Sequence, residues 1–308
     1  METRPLCAGG PAVSIVGLGC NNFGSRIDLA ATTRVIDRAI ERGINHFDTA
    51  DTYGGSKAEE FIGSLLGERR KRIVLATKFG MLSDATPGIR GTRAYVMRSA
   101  EASLRRLKTD WIDLYYMHQP DPQTPVEETL RALEDLVKAG KVRHVAASNF
   151  SAAQVDEAVA VAKRIHFAGF VLSQDEYSLL ERGIEKTLLP TLEANGFGLV
   201  PFFPLAGGAL TGKYRHGAPL PAGARHNRAG GNQFLDPHWQ TIEKLRAFAE
   251  KRGHTLLELA MSWLARRPRV VSIIAGATRP EQIDANVTAT EWNLSAAEMT
   301  EIDAITGG

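Results

Sequence analysis

Short apolar runs alternate with longer segments whose apolar residues recur every three or four positions, and this alternation fills most of the chain. The runs Val13–Leu18, Ile44–Phe47, Ile73–Lys78, Ile112–His118, Val142–Ala147, Phe170–Ser173, Gly198–Phe202 and Val270–Ile274 read as strands buried on both faces. Between them, Val35, Ile36, Ala39 and Ile40 share one helical face that Gly43 closes, and Lys57–Leu66 is the next helix. Val96, Ala100, Leu104 and Leu107 fall in helical register, as do Val126, Leu130, Leu133 and Val137, with Pro120, Pro122 and Pro125 punctuating the entry to the second set. Ala152–Arg164 and Gly183–Ala194 continue the pattern. The period breaks at Pro204–Pro237, a Gly- and Pro-rich stretch too long for an ordinary connector, and long loops of this kind are usually lids or binding loops. Helical patterns then return at Trp239–Lys251, Leu256–Arg266, Pro280–Val287 and Ala296–Ile305. Strand-helix repeats with parallel-type strands predict an α/β fold, a (β/α)8 TIM barrel with a long loop after strand 7 and extra helices, in a single domain spanning 1–308.

Barrel geometry gives the polar strand ends their meaning, because the carboxyl ends of the strands share one rim. Asp48 ends one apolar run and Tyr53 follows it in the loop; Lys78, His118, Ser148-Asn149, Gln174 and Gly276 end others. Asp48 by itself reads as a turn former and Tyr53 as a packing residue. Lys78 changes both readings: a lysine ending an apolar strand needs a partner, which Asp48 supplies, and a nearby cation favours phenolate. The expectation is a Tyr53 whose pKa falls from its ordinary value of about 10. Ser148, Asn149 and Gln174 either satisfy backbone groups at strand ends or offer donors and acceptors to a flat carboxamide. Phe202 is either core or a face for a stacked ring. Gly276-Ala277-Thr278-Arg279-Pro280 opens a helix whose N-terminus, with Arg279, suits a phosphate or is an ordinary exposed cap. Phe23, Phe79, Met81 and Leu82, on rim loops, read either as an apolar wall of a substrate pocket or as ordinary loop packing.

Composition narrows the classes. The chain has 308 residues, 44% hydrophobic and 23% charged, with a net charge of +2. Its basic residues are dispersed and not interleaved with aromatics, so neither nucleic acid nor membrane is an expected partner. No apolar run approaches a membrane span, and Met1-Glu2-Thr3-Arg4-Pro5 lacks the order of a signal peptide, so a cytoplasmic location is expected. Cys7 and Cys20 read as free thiols. There is no HxH, HExxH or clustered Cys/His spacing, so no metal is expected, and no G-x-S-x-G at a strand-to-helix turn. Gly17-Leu18-Gly19-Cys20-Asn21-Asn22 fails the G-x-G-x-x-G fingerprint at Asn22.

Taken together, Phe47-Asp48-Thr49-Ala50-Asp51-Thr52-Tyr53-Gly54, Thr77-Lys78, His118-Gln119-Pro120-Asp121-Pro122, Gly140-Lys141-Val142-Arg143 with Ser148-Asn149-Phe150, and Pro204-Leu205 with Leu210-Thr211-Gly212-Lys213-Tyr214 resemble the successive motifs of the aldo-keto reductase superfamily. The likeness runs from about Val13 to the last helix. It is strongest to the bacterial branch with aryl-alcohol dehydrogenase-like and general-stress members, whose relatives include potassium-channel β subunits. The resemblance implies NADP(H)-dependent reduction of aldehydes and ketones to alcohols, reversibly, with Tyr53 as proton donor, Lys78 lowering its pKa, Asp48 pairing with Lys78, and His118 orienting the carbonyl and assisting proton transfer. It implies that Ser148, Asn149 and Gln174 hold the carboxamide and that Phe202, where many relatives have tyrosine, stacks on the nicotinamide. It also implies that Leu205, Gly207, Lys213 and Arg225 cover the pyrophosphate, and that Gly276, Thr278, Arg279, Gln282 and Asn286 hold the 2′-phosphate end. Ala285 departs from an acid often seen before Asn286. The alternatives are an NADPH-binding sensory or regulatory subunit with slow turnover, or a sugar dehydrogenase working oxidatively. No feature of the sequence assigns an oligomeric state.

Overall fold

A computed structural model of the chain describes residues 1–81, 89–221 and 235–307. Eight strands, β3 (Val16–Gly19), β4 (His46–Asp48), β5 (Val74–Phe79), β6 (Ile112–Met117), β7 (Val142–Ser148), β8 (Phe170–Glu176), β9 (Gly198–Phe202) and β10 (Ile273–Gly276), form one parallel sheet in the order β10-β3-β4-β5-β6-β7-β8-β9. Its edges meet where Leu199 N–H donates to the Arg269 carbonyl at 2.7 Å and Val271 N–H donates to the Leu199 carbonyl at 2.9 Å. The result is a nearly closed (β/α)8 barrel with helices outside.

The run expected as one strand from Val13 to Leu18 is divided. Ala12–Ser14 (β2) pairs antiparallel with Thr3–Pro5 (β1), and only Val16–Gly19 enters the barrel. This hairpin docks at the amino ends of the strands. Arg4 donates to the carbonyls of Val270 (2.5 Å) and Ala265 (2.6 Å), and Asn45 Oδ1 accepts from Ser14 N–H at 2.7 Å. Leu6 and Val13 are thereby buried against Val74, Leu114, Leu172 and Val200, closing the barrel from below with apolar surface.

Helix ends follow local chemistry. Ser151 with Gln154, Thr255 with Glu258, and Ser295 with Glu298 form reciprocal caps at three N-termini, each satisfying backbone donors that a helix start leaves open. The helix expected from Gly183 to Ala194 is instead a 3-10 turn, Gly183–Lys186, followed by a helix, Leu188–Ala194, with Thr187 off the helical region at φ −136°. In a continuous helix the Pro190 ring would clash with the Lys186 carbonyl; in the first turn of a separate helix it is tolerated.

The pleat aims the rim. Successive inward positions rise two residues at a time, from Val74 through Ala76 to Lys78, from Leu114 through Tyr116 to His118, from Leu172 to Gln174 and from His46 to Asp48. The lower layers are apolar and the top layer is polar. Among the described residues, no helix is long and apolar enough to cross a membrane and no cluster of His, Cys, Asp or Glu could hold a metal ion.

Candidate active site

The top layer of the barrel brings Asp48, Lys78, Tyr53 and His118 to one opening. Lys78 Nζ donates to Asp48 Oδ1 at 2.5 Å and to the Thr49 carbonyl at 2.8 Å, and lies 3.5 Å from the Tyr53 hydroxyl. The Lys78 and Asp48 side chains are both almost wholly buried. The second Asp48 oxygen accepts from Gln174 Nε2 at 2.8 Å, so the carboxylate is held on both oxygens. Tyr53 meets His118 edge to face, with ring centroids 6.0 Å apart.

Burial would lower the pKa of Lys78, but the Asp48 carboxylate and Tyr53 outweigh it, and the ammonium is held above its ordinary value. Tyr53 departs from expectation. Burial pushes its phenol up, Lys78 pulls it down, Asp48 pushes it up again, and the balance lies above the ordinary value. The sequence shows the cation beside the phenol but not the depth of burial that competes with it. His118 is pushed down to about 3 by burial and by the Lys78 charge. It is therefore a neutral imidazole at physiological pH and not itself a charged proton donor. Its Nδ1 is buried without a partner among the described residues, and an unpartnered acceptor is the less costly state, so we assign the proton to Nε2.

Ser148, Asn149 and Gln174 lie together on the neighbouring strand ends. Ser148 Oγ donates to the Gln174 carbonyl at 2.8 Å, while Asn149 Nδ2 donates to the His118 carbonyl at 2.9 Å and to Ser148 Oγ at 3.0 Å. Asn149 adopts φ +61°, which turns the chain at the end of β7. This network leaves Asn149 Oδ1 as an acceptor for a ligand amide. Phe202 ends β9, and Phe203 packs against it edge to face at 5.3 Å.

Asp48, Tyr53, His118, Ser148, Asn149, Gln174, Phe202 and Phe203 all border one cavity of about 810 Å³. It extends past Leu205, Gly207 and Lys213 to Gly276, Thr278, Arg279, Gln282, Ala285 and Asn286. Gly19 and Gly276 are paired in register at the ends of β3 and β10 and both face it, leaving the wall without side chains there. A Cβ on Gly276 would lie 2.9 Å from Asn22 Nδ2. Gly208 has φ +105°, and a Cβ there would meet Lys213 Nζ at 2.9 Å, so the turn that carries Lys213 requires glycine. Gln282 Oε1 accepts from Thr278 N–H at 2.7 Å and lies 3.1 Å from Thr278 Oγ1, fixing the entry to the helix Pro280–Thr288. The Arg279 side chain is 68% exposed and 3.8 Å from Glu281. A long cavity with a glycine-lined wall, an end lined by Ser148, Asn149 and Gln174, and three cationic side chains, Arg26, Lys213 and Arg279, fits an extended, anionic cofactor bearing a carboxamide.

Two expected wall residues are corrected. Phe23 and Phe79 do not border the cavity; both are fully buried in the core, Phe79 against Tyr115 with centroids 4.8 Å apart. Each turns its ring toward the helical layer, where more apolar surface is available. Met81 does border the cavity, whereas Leu82 and Arg225 lie outside the described residues. Sequence reading passed over Cys20, Asn21, Arg26, Gln119 and Phe203, which also line it. Cys20 and Asn21 directly follow the β3 run and Gln119 directly follows His118, so strand-end position was the available signal.

The model described as the Aldo/keto reductase family matches residues 15–306. The chain is 36% identical over 306 residues to the uncharacterized oxidoreductase YrpG of Bacillus subtilis (strain 168), covering 96% of this chain and 92% of that protein. It is 35% identical over 311 residues to L-glyceraldehyde 3-phosphate reductase of Escherichia coli (strain K12), covering 95% and 88%. It is 34% identical over 302 residues to a probable voltage-gated potassium channel subunit beta of Arabidopsis thaliana, covering 94% and 92%.

Proposed function

The chain belongs to the aldo/keto reductase family and is an oxidoreductase of that family, and we propose that it reduces aldehydes and ketones with NADPH, with Tyr53 as the general acid. The observation that carries this reading is the buried Asp48–Lys78 pair, with the Tyr53 hydroxyl 3.5 Å from the ammonium, at the mouth that also holds the Ser148, Asn149 and Gln174 cluster. When bound, the cofactor supplies a hydride to the carbonyl carbon. The protein supplies the rest. His118, neutral and protonated at Nε2, donates a hydrogen bond to the carbonyl oxygen and orients it. Tyr53, held protonated in the ground state, gives its hydroxyl proton to that oxygen as negative charge develops there. The phenolate then forms beside Lys78, so the ammonium acts most strongly on the charge created during the reaction, and Asp48 fixes its position. Ser148, Asn149 and Gln174 orient the carboxamide, and Phe202 supplies a face for the nicotinamide ring. Leu205, Gly207 and Lys213 cover the pyrophosphate, while Gly276, Thr278, Arg279, Gln282 and Asn286 hold the phosphorylated ribose.

Cofactor choice is tested at Arg279. A charge-assisted contact is worth about 1.5–3 kcal/mol, and solvent screening at so exposed a side chain places the effect at the lower end. Initial-rate kinetics should show NADPH preferred over NADH. Arg279→Ala should lower kcat/KM for NADPH about tenfold, from that contact energy, and leave NADH nearly unchanged. Equal use of both nucleotides by the wild type, or an equal loss for both in the variant, contradicts the assignment.

A second reading rests on the similarity to a potassium channel subunit beta. In it the same fold and cofactor serve a sensory or regulatory subunit whose turnover is slow. The two readings differ in whether the nucleotide is released after each reduction.

A further inference from the structure

Behind the catalytic groups lies a second charged layer for which the proposed reaction has no use. Glu59, fully buried on the helix Lys57–Leu66, accepts from Thr77 Oγ1 and from Arg106 Nε, each at 2.6 Å. Thr77 is the chain neighbour of Lys78 and points to the opposite face of β5, so the two layers share a strand. Asp51 sits between them. Its N–H donates to the Lys78 carbonyl at 3.2 Å, its carbonyl accepts from Ser56 Oγ at 2.7 Å, and Tyr53 follows two residues later with its N–H on the Ala50 carbonyl at 3.2 Å. The turn that presents the phenol is therefore anchored at Asp51.

The Asp51 side chain is not settled as an ordinary carboxylate. Its Oδ1 is buried and has no hydrogen-bond partner among the described residues. An ionised carboxylate can only accept hydrogen bonds, and burying one of its oxygens unpaired is costly. The charged and titratable groups that act on it are Glu59 from the helix Lys57–Leu66, Lys78 from β5, Arg106 and Tyr95 from the helix Arg93–Leu107, and Tyr115 from β6. The Tyr115 hydroxyl is likewise buried without a partner among the described residues.

We infer that Asp51 is a positioning residue for Tyr53: its neutral carboxyl leaves the backbone-anchored turn at 50–56 as observed, and its ionisation, opposed by the Glu59 charge, loosens that turn and misplaces the phenol. Burial first, and then the Glu59 charge, hold Asp51 up at about 7 against the pull of Arg106, of the Thr52 backbone N–H and of Lys78. The sign follows directly. The folded protein keeps the proton above the ordinary carboxylate range, so this site favours the fold fully at low pH. Its contribution declines as pH rises toward about 7 and is level beyond it.

The kinetic arm rests on the function proposed above; a second arm does not. Single-turnover rates of NADPH oxidation with an aromatic aldehyde are measured from pH 5.5 to 9 for the wild type, Asp51→Asn and Glu59→Gln. The wild-type rate should fall through a step near neutrality, Asp51→Asn should lose the step, and Glu59→Gln should move it to lower pH by removing the neighbouring charge. In parallel, denaturant midpoints of the full-length wild type and Asp51→Asn are compared from pH 5 to 8, and the variant should gain on the wild type as pH rises. A kinetic step that survives unchanged in both variants overturns the inference. So does a midpoint difference that is flat with pH, whether or not any aldehyde turns over. A wild type that reduces no aldehyde refutes the proposed function alone, and the denaturation arm then decides the role of Asp51.

Discussion

Tyr53→Phe should lower kcat for aldehyde reduction by about 10²- to 10⁴-fold, the usual contribution of a positioned general acid, while NADPH affinity stays within about twofold, a change far below one hydrogen bond. The substitution removes one oxygen and leaves the ring, so its edge contact with His118 and its place beneath the Lys78 ammonium survive. What is lost is the proton that meets the developing alkoxide. Because burial holds the Tyr53 pKa above its ordinary value, the phenol is present as an acid throughout the neutral range. The reductive rate should therefore not depend on deprotonation of Tyr53 between pH 6 and 8. Steady-state kinetics with an activated aromatic aldehyde and a fluorescence titration of NADPH measure the two quantities separately. A variant that retains more than about one-tenth of the wild-type kcat, below the range expected for a general acid, assigns the proton to another group.

Lys78→Met should abolish turnover to a similar degree and also destabilise the protein by about 3–5 kcal/mol, the effect of removing one partner from a buried ion pair. Asp48 would keep the Gln174 hydrogen bond but lose its counter-charge in a site with almost no solvent. The sign of the pH dependence is fixed by the lysine. Its folded pKa is raised, so the pair's contribution is complete at neutral pH and is lost only as pH rises above the unfolded lysine value of about 10.4 and through the folded one. Adding Asp48→Leu to Lys78→Met should recover much of the stability, because a buried pair replaced on both sides by apolar groups is often neutral. It should recover none of the activity. Chemical denaturation and rate measurements on the wild type, the two single variants and the double variant form a double-mutant cycle. If Lys78→Met alone is as stable as the wild type, the pair is not buried as described.

Strand ends were the legible part of this chain. A period of two along Val74, Ala76 and Lys78, repeated on neighbouring strands, places the last inward residue of each at one rim, and that rule needs no three-dimensional information beyond the barrel itself. It found Asp48, Lys78, His118, Ser148 and Gln174 together, but Cys20 and Gln119 fall one residue past Gly19 and His118, out of phase with the inward series, and the rule does not reach them. What it could not read was orientation within loops. Phe23 sits next to the rim in sequence, yet its ring turns into the core, since a loop residue has no periodicity to fix its direction, whereas Phe79 ends β5 and the period that points Lys78 inward turns it outward into the core. The hairpin under the barrel was hidden for a related reason: Val13 and Val16 lie in one apolar run, and nothing local marks where an antiparallel ribbon gives way to a barrel strand. The direction of the Tyr53 shift was invisible too, because it is the balance of burial against two opposite charges.

The central claim is that this cavity performs repeated carbonyl reduction with NADPH, and the most direct measurement is the time course of NADPH oxidation by the wild-type protein with excess aromatic aldehyde and a many-fold excess of nucleotide over protein. The account predicts continuous oxidation over many equivalents of nucleotide per protein, with NADP released each cycle. Oxidation of a single equivalent followed by a stall, with the nucleotide retained on the protein, contradicts it and establishes the sensory reading in its place.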